Sequence, residues 1–236
     1  MRKYYTRACN FYYGTKAKNL IKKNLALPLC GNKNIAFDNI EILCRNRKTR
    51  LIDIRNIKKL SNQIKKNVLK DLKKIISKRK KLNKHLNMSE PLIMGVLNIT
   101  PDSFSDGGLY IQSKKAFIHI NNMIFKGADI IDVGGESTRP GSKNIPHKTE
   151  WKRLEKIIIN FKKKFPKTFL SIDTRKSEVM LKAIKHNSDL INDVSGFNYD
   201  PKSIDKIKNY NIWKVLHHMK GTPNIMQIKP SYKNVL

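Results

Sequence analysis

From Glu90 onward, short apolar runs alternate with polar, glycine-bearing loops and with stretches whose apolar residues recur every three or four positions. That alternation predicts parallel βαβ units, because a strand buried on both faces reads as a continuous apolar run and its crossover helix as an amphipathic one. The strands expected are Leu92–Leu97, Asp129–Val133, Thr168–Ile172, Asp189–Asn192 and Ile212–Leu216. Ser113 is expected to cap the first intervening helix and Gly127 to close it. Thr149 is expected to cap the second, whose Trp151, Leu154, Ile157, Ile158, Phe161 and Phe165 fall on one stripe before Pro166. Ser177 opens the third, and Asp200-Pro201 reads as a cap followed by proline at the first helical position. Such a series fits a barrel or a doubly wound sheet.

Before the Lys-rich stretch Ser77 to Met88 the pattern differs. Ile35-Ala-Phe37 and Ile40-Glu-Ile42 alternate with period two, which predicts a short strand pair or hairpin. Ile54, Ile57, Leu60, Ile64, Val68, Leu72 and Ile75 then share one face of a helix whose other face is filled by lysines. That helix either docks on the following domain, the plainer reading, or binds an acidic partner. The expected organisation is an N-terminal extension, residues 1–88, followed by the α/β domain, residues 89–236.

With 236 residues and 39% hydrophobic content the chain can bury a core, which excludes a disordered polypeptide. No apolar run approaches the roughly 20 residues of a spanning helix. Cys9, Cys30 and Cys44 show no CxxC spacing and read as free thiols in a reducing compartment. A net charge of +31 raises a nucleic-acid reading, but Lys, Asn and Ile are abundant along the whole chain, as in a general substitution bias. No nucleic-acid or membrane partner is therefore expected, although the basic field would draw in a polyphosphate substrate. The stretch from Met1 to Phe37 has no acidic residue and superficially resembles a mitochondrial leader. It also lacks serine, so a cytoplasmic location is expected, with import the lesser alternative.

Polar groups gather at the carboxyl ends of the expected strands: Asn98, Gly134-Gly135-Glu136-Ser137-Thr138-Arg139, Asp173, Asn192-Asp193 and His217-His218. In a (β/α) barrel that rim is the active-site face. Any one of these residues could cap a helix or brace a loop; five together point to a site. GxSxG, HExxH, Walker and strand-linked GxGxxG patterns are all missing, so neither a serine nucleophile nor a nucleotide loop is indicated. Amides, hydroxyls, carboxylates and one arginine suit an electron-poor heterocycle and an anionic leaving group.

Pro91-Leu-Ile-Met-Gly-Val-Leu-Asn98-Ile-Thr-Pro-Asp102-Ser-Phe104-Ser-Asp106-Gly-Gly108 resembles the first signature of dihydropteroate synthases. Gly127-Ala-Asp-Ile-Ile-Asp132-Val-Gly-Gly-Glu136-Ser-Thr138-Arg139-Pro140-Gly141 resembles the second. Ser171-Ile-Asp173-Thr, Ile191-Asn192-Asp193-Val and His218-Met219-Lys220-Gly-Thr-Pro continue the match in order. The resemblance implies a pterin-binding TIM (β/α)8-type barrel, with about five of eight βα units in this chain. It implies an activity that joins para-aminobenzoate to dihydropterin-methyl diphosphate and releases diphosphate. By position, Asn98 would ligand a magnesium ion, Asp173 and Asn192 would bind the pterin, and Asp173 would stabilise its cationic form. Thr138, Arg139 and Pro140 would meet diphosphate and aminobenzoate, Arg139 also assisting the chemistry. Asp102 and Phe104 would close over the site, and Met219 would contact substrate.

In that family three more βα units follow, with an Asp-Pro-Gly loop and a GFGK run, a Ser-Arg-Lys and an Arg-x-His. None follows Gln227 here. The expectation is that this chain is a truncated sequence, pairs with a complementing C-terminal chain, or comes from a decaying gene; a homodimer is the other assembly expected. A non-catalytic pterin-binding remnant and a methyltetrahydrofolate-type methyltransferase remain as alternatives.

Overall fold

A computed structural model describes residues 4–44, 48–79, 86, 91–100, 109–137, 144–221, 225 and 229–232. The chain forms two compact units, one of Met1–Lys81, Asn87–Glu90 and Ser231–Leu236, the other of Leu82–Leu86 and Pro91–Pro230.

The first unit is an antiparallel sheet with helices. Its elements run β1 (Tyr4–Tyr13), α1 (Gly14–Lys22), β2 (Leu27–Leu29), β3 (Asn32–Cys44), β4 (Arg50–Asp53), a 3-10 turn (Ile54–Lys59) and α2 (Asn62–Ile76). The long β3 pairs with β1 along one edge and with β2 and β4 along the other. Ile35–Phe37 and Ile40–Ile42 are therefore parts of one strand and not the two arms of a hairpin. Asp38 does not turn the chain because its carboxylate is held sideways, accepting from Asn10 Nδ2 at 2.7 Å and from the Tyr12 hydroxyl at 2.8 Å on β1. Phe37, Ile40, Ile42, Ile57, Val68 and Leu72 form the buried core.

The apolar stripe from Ile54 to Ile75 is likewise divided. Asp53 Oδ1 accepts from the Arg55 N–H and starts the 3-10 turn, after which Leu60 and Ser61 are extended and α2 begins. The aromatic-rich strand Tyr4–Tyr13 lies in the stretch that superficially resembles a leader peptide.

The second unit is a parallel sheet in the order β5-β6-β7-β8-β9, formed by Met94–Asn98, Ile130–Gly134, Phe169–Asp173, Leu190–Asp193 and Trp213–Leu216. The helices α3 (Leu109–Phe125), α4 (His147–Lys164), α5 (Ser177–Lys185) and α6 (Ser203–Ile207) lie between successive strands. Each strand adds beside the one before it. This is the winding of a (β/α)8-type barrel, whereas a doubly wound sheet reverses its strand order. Leu97, Val133, Ile172 and Ile191 alternate onto one face and join Ile120, Leu154, Ile158, Phe161, Met180 and Ala183 of the helices in the main core.

All five strands fall within two residues of the sequence reading and α5 opens at Ser177 as expected, but the starts of α3 and α4 lie elsewhere. Helix α3 starts four residues before Ser113, and α4 starts after Pro146, whose carbonyl accepts from the Glu150 N–H at 3.1 Å. Thr149 thus lies inside the first turn. Gly127, at φ +98°, follows α3 in a conformation that L side chains rarely adopt.

Candidate functional site

The five parallel strands end at one level. Their register pairs Asn98 with Gly134, Gly134 with Asp173, Asp173 with Asn192, and Asn192 with Val215. Side chains alternate along a strand, so the same face carries Val96, Asp132, Ser171, Leu190 and Trp213 two residues earlier, with Ile130 and Phe169 below. Ile130, Phe169 and Leu190 form an apolar cluster with Leu86. The face therefore turns from apolar to polar toward the strand ends. A Cβ on Gly134 would lie 3.3 Å from Asn98 Oδ1 and 3.5 Å from Asp173 Oδ2, so these two groups flank the bare glycine in the row.

Just beneath the row sits a buried carboxylate, Asp132, 4% exposed. Its Oδ1 accepts from the Ser171 hydroxyl at 2.5 Å and its Oδ2 from Asn192 Nδ2 at 3.0 Å. Burial pushes its proton affinity up, against those two hydrogen bonds. Asp173 is raised further, to about 7, by burial first and then by the charges of Asp132, Glu150 and Asp193, with Arg175 opposing. Near neutral pH its carboxyl group is poised between its two protonation states.

Beside the row lies a buried ion network. Arg175 Nη2 meets Glu136 Oε2 at 2.8 Å, and Lys176 Nζ bridges Glu136 Oε1 at 2.8 Å and Glu150 Oε2 at 2.7 Å. Glu136 Oε1 also accepts from the Ile145 N–H, and Arg175 Nη2 donates to Asn144 Oδ1 at 3.0 Å. Glu136 and Asn144 are thereby both fastened to the turn that follows Asp173. Burial would raise the Glu136 carboxyl, but the bonds from Lys176, Arg175 and Ile145 outweigh it and hold it below its ordinary value. The Arg175 guanidinium also stacks 4.1 Å from the Tyr199 ring centroid, which ties in the loop after β8.

Of the residues expected at the site, the structure brings Asn98, Asp173 and Asn192 into one row. Met219 is half-buried, three residues past the end of β9. Asp102, Phe104, Thr138, Arg139 and Pro140 lie outside the described residues. Asp193, expected at the rim, serves its own turn instead: Oδ1 accepts from the Ser195 N–H and hydroxyl, and Oδ2 from the Phe197 N–H at 3.1 Å. Its side chain alternates to the face opposite Asn192. His217 and His218 are exposed after β9. Sequence reasoning gave no role to Asp132, Ser171, Arg175 or Lys176, and placed Glu136 at the rim without seeing its buried ion pairs. The available signal was a polar residue two positions before two of the rim positions, Asp132 before Gly134 and Ser171 before Asp173, inside otherwise apolar runs.

A parallel sheet wound as a barrel, with amide and carboxylate groups aligned at its carboxyl edge, is the frame of a small-molecule enzyme site. Residues 94–236 match the family model described as pterin binding enzyme, and the chain belongs to that family. Among its relatives is the dihydropteroate synthase of Haemophilus influenzae, 38% identical over 154 residues, which are 65% of this chain and 55% of that protein. The dihydropteroate synthase of Escherichia coli is 39% identical over 150 residues, 64% of this chain and 52% of its own length. The crystal structure of the Yersinia pestis dihydropteroate synthase with a sulfonamide drug complex superposes with a TM-score of 0.57 at 36% identity, covering 63% of this chain and 54% of that one. That of the Burkholderia cenocepacia dihydropteroate synthase complexed with 7,8-dihydropteroate gives 0.53 at 37%, covering 62% and 48%. The chain spans about half the length of the curated relatives it matches.

Proposed function

We propose that this chain carries the pterin-binding part of a dihydropteroate synthase, an enzyme that joins para-aminobenzoate to dihydropterin-methyl diphosphate and releases diphosphate. The observation that supports this most is the row Asn98, Gly134, Asp173 and Asn192 above buried Asp132, in a chain of the pterin-binding family. A pterin ring on the row meets Asp173 and Asn192 with its polar edge. As the bond from the pterin methylene to diphosphate breaks, positive charge grows on the ring, and a fixed, partly desolvated carboxylate at Asp173 stabilises it. The aminobenzoate nitrogen takes the vacated bond at the methylene carbon and then loses a proton.

Magnesium fits this reading at Asn98. The Asn98 side-chain oxygen is a hard donor at an exposed strand end, and magnesium keeps most of its ligands as water and substrate phosphate oxygens. Bound there, the ion supplies charge neutralisation for the departing diphosphate. Among the described residues no group of three or more His, Cys, Asp or Glu side chains forms a separate metal site. Thr138, Arg139 and Pro140 are the residues proposed to meet diphosphate and aminobenzoate, Asp102 and Phe104 to close over them, and Met219 to line the pterin site. A second copy of the chain is the proposed assembly partner.

The test is incubation with both substrates and magnesium, with dihydropteroate and diphosphate followed by mass spectrometry. Product that depends on para-aminobenzoate supports the proposal. Pterin binding without product would leave a binding module, and methyl transfer from methyltetrahydrofolate would replace the synthase with a methyltransferase.

A further inference from the structure

Among the described rim groups, Asn192 has a hydrogen-bonding sense that depends on a residue below it. An asparagine amide offers a donor on one branch and an acceptor on the other, and either could face a ligand. Here Nδ2 donates to Asp132 Oδ2 at 3.0 Å. The reverse orientation would set the amide oxygen against a carboxylate, two acceptors with no proton between them. With Nδ2 turned down to Asp132, the trigonal geometry of the amide turns Oδ1 away from it. Asp132 itself is 4% exposed, and each of its oxygens is engaged, one by the Ser171 hydroxyl and one by Asn192. It sits two residues before Gly134 on β6, one layer beneath the row.

We infer that Asp132 is a positioning residue: it holds the Asn192 amide with its oxygen toward the ligand, and so sets an acceptor beside the Asp173 carboxyl group. Ser171 completes the arrangement by holding the other Asp132 oxygen. The row then selects a ring edge that carries hydrogen-bond donors, and it discriminates against a ring of the same shape with an acceptor at the Asn192 position. Without a hydrogen-bond acceptor below, the amide is free to turn over, and half of its orientations present the wrong group. The inference rests on the pterin reading of the site, since it names the residue that sets how the pterin edge is read.

The test is a double-mutant cycle read by quenching of intrinsic fluorescence with 6-hydroxymethylpterin, on the full chain, each variant first checked for folding by circular dichroism. Asp132→Ala is expected to weaken binding about tenfold, the size of one well-oriented hydrogen bond lost with its preorganisation. Asp132→Asn is expected to stay within about threefold of wild type, because its side-chain oxygen still accepts from Asn192 while the Ser171 hydroxyl rotates to accept from its amide. In an Asn192→Ala background, Asp132→Ala is expected to add no further loss, which a merely structural role for Asp132 would not produce. Full additivity in the double variant, or wild-type affinity in Asp132→Ala, overturns the inference while leaving the pterin reading intact. A wild-type chain that takes up no pterin removes both. If Asp132→Ala does not fold, hydrogen exchange of the Asn192 side-chain amide in the wild type decides: slow exchange supports the bond to Asp132, and exchange at the rate of a free asparagine overturns it.

Discussion

Replacing Asp173 by asparagine should stabilise the second unit and weaken its chemistry at once. Asp173 stands at the end of β7 with its carboxyl group raised from 3.8 to about 7, by burial and by the charges of Asp132, Glu150 and Asp193. Below about pH 4 the group is protonated in folded and unfolded chains alike, so it costs nothing. Between about pH 4 and 7 the unfolded chain ionises first, and stability falls by about 1.4 kcal/mol per pH unit. Above 7 the folded chain ionises too, and the cost levels at a ceiling of about 4 kcal/mol. Asp173→Asn removes the titrating group while keeping its size. Its advantage over wild type should be absent near pH 4, grow toward pH 7 and then hold constant. Urea unfolding followed by tryptophan fluorescence reads this unit, because both tryptophans, Trp151 and Trp213, belong to it. Parallel pH profiles for the two proteins would refute the reasoning, since they would mean that Asp173 titrates alike in both states. In an active form, the same substitution should cost about 3 kcal/mol of transition-state stabilisation, seen as a loss of kcat/KM.

Lys176→Met should cost about 3–5 kcal/mol in urea unfolding, because Glu150 is fully buried and Lys176 is its ion-pair partner; adding Glu150→Gln should recover part of the loss. Gly196→Ala should destabilise by more than about 2 kcal/mol in a thermal melt, since Gly196 has φ +60° and its added Cβ would sit 2.5 Å from the His217 carbonyl oxygen. Phe161→Ala, which empties a fully buried site in the helix-facing core, should cost about 3–5 kcal/mol by the same measurement.

The strands of the second unit were legible because each is an apolar run with a polar residue at its carboxyl end, and that end residue is also what marked the site. Asp132 was hidden by the same logic. It interrupts an apolar run, and its partners Ser171 and Asn192 lie 39 and 60 positions away, brought near only by parallel register. Arg175 and Lys176 read as two more basic residues in a chain with 49, until the fold buries them against Glu136 and Glu150. In the first unit, period two within β3 was visible but its length was not, because the side-chain bonds that keep Asp38 extended come from β1, an element whose basic and aromatic composition does not alternate cleanly. Asp102, Phe104 and Pro140 came from resemblance alone, whereas Thr138 and Arg139 also stood out in the polar loop after the second expected strand.

The spacing between the groups at the rim is set by main-chain hydrogen bonds between neighbouring strands. What stands on the row can therefore change while the row itself does not: a substitution at Asn98, Asp173 or Asn192 alters what is offered to a ligand without altering where it is offered. The frame is a rack with fixed pegs. A chain built this way can exchange one ligand for another through single side-chain changes.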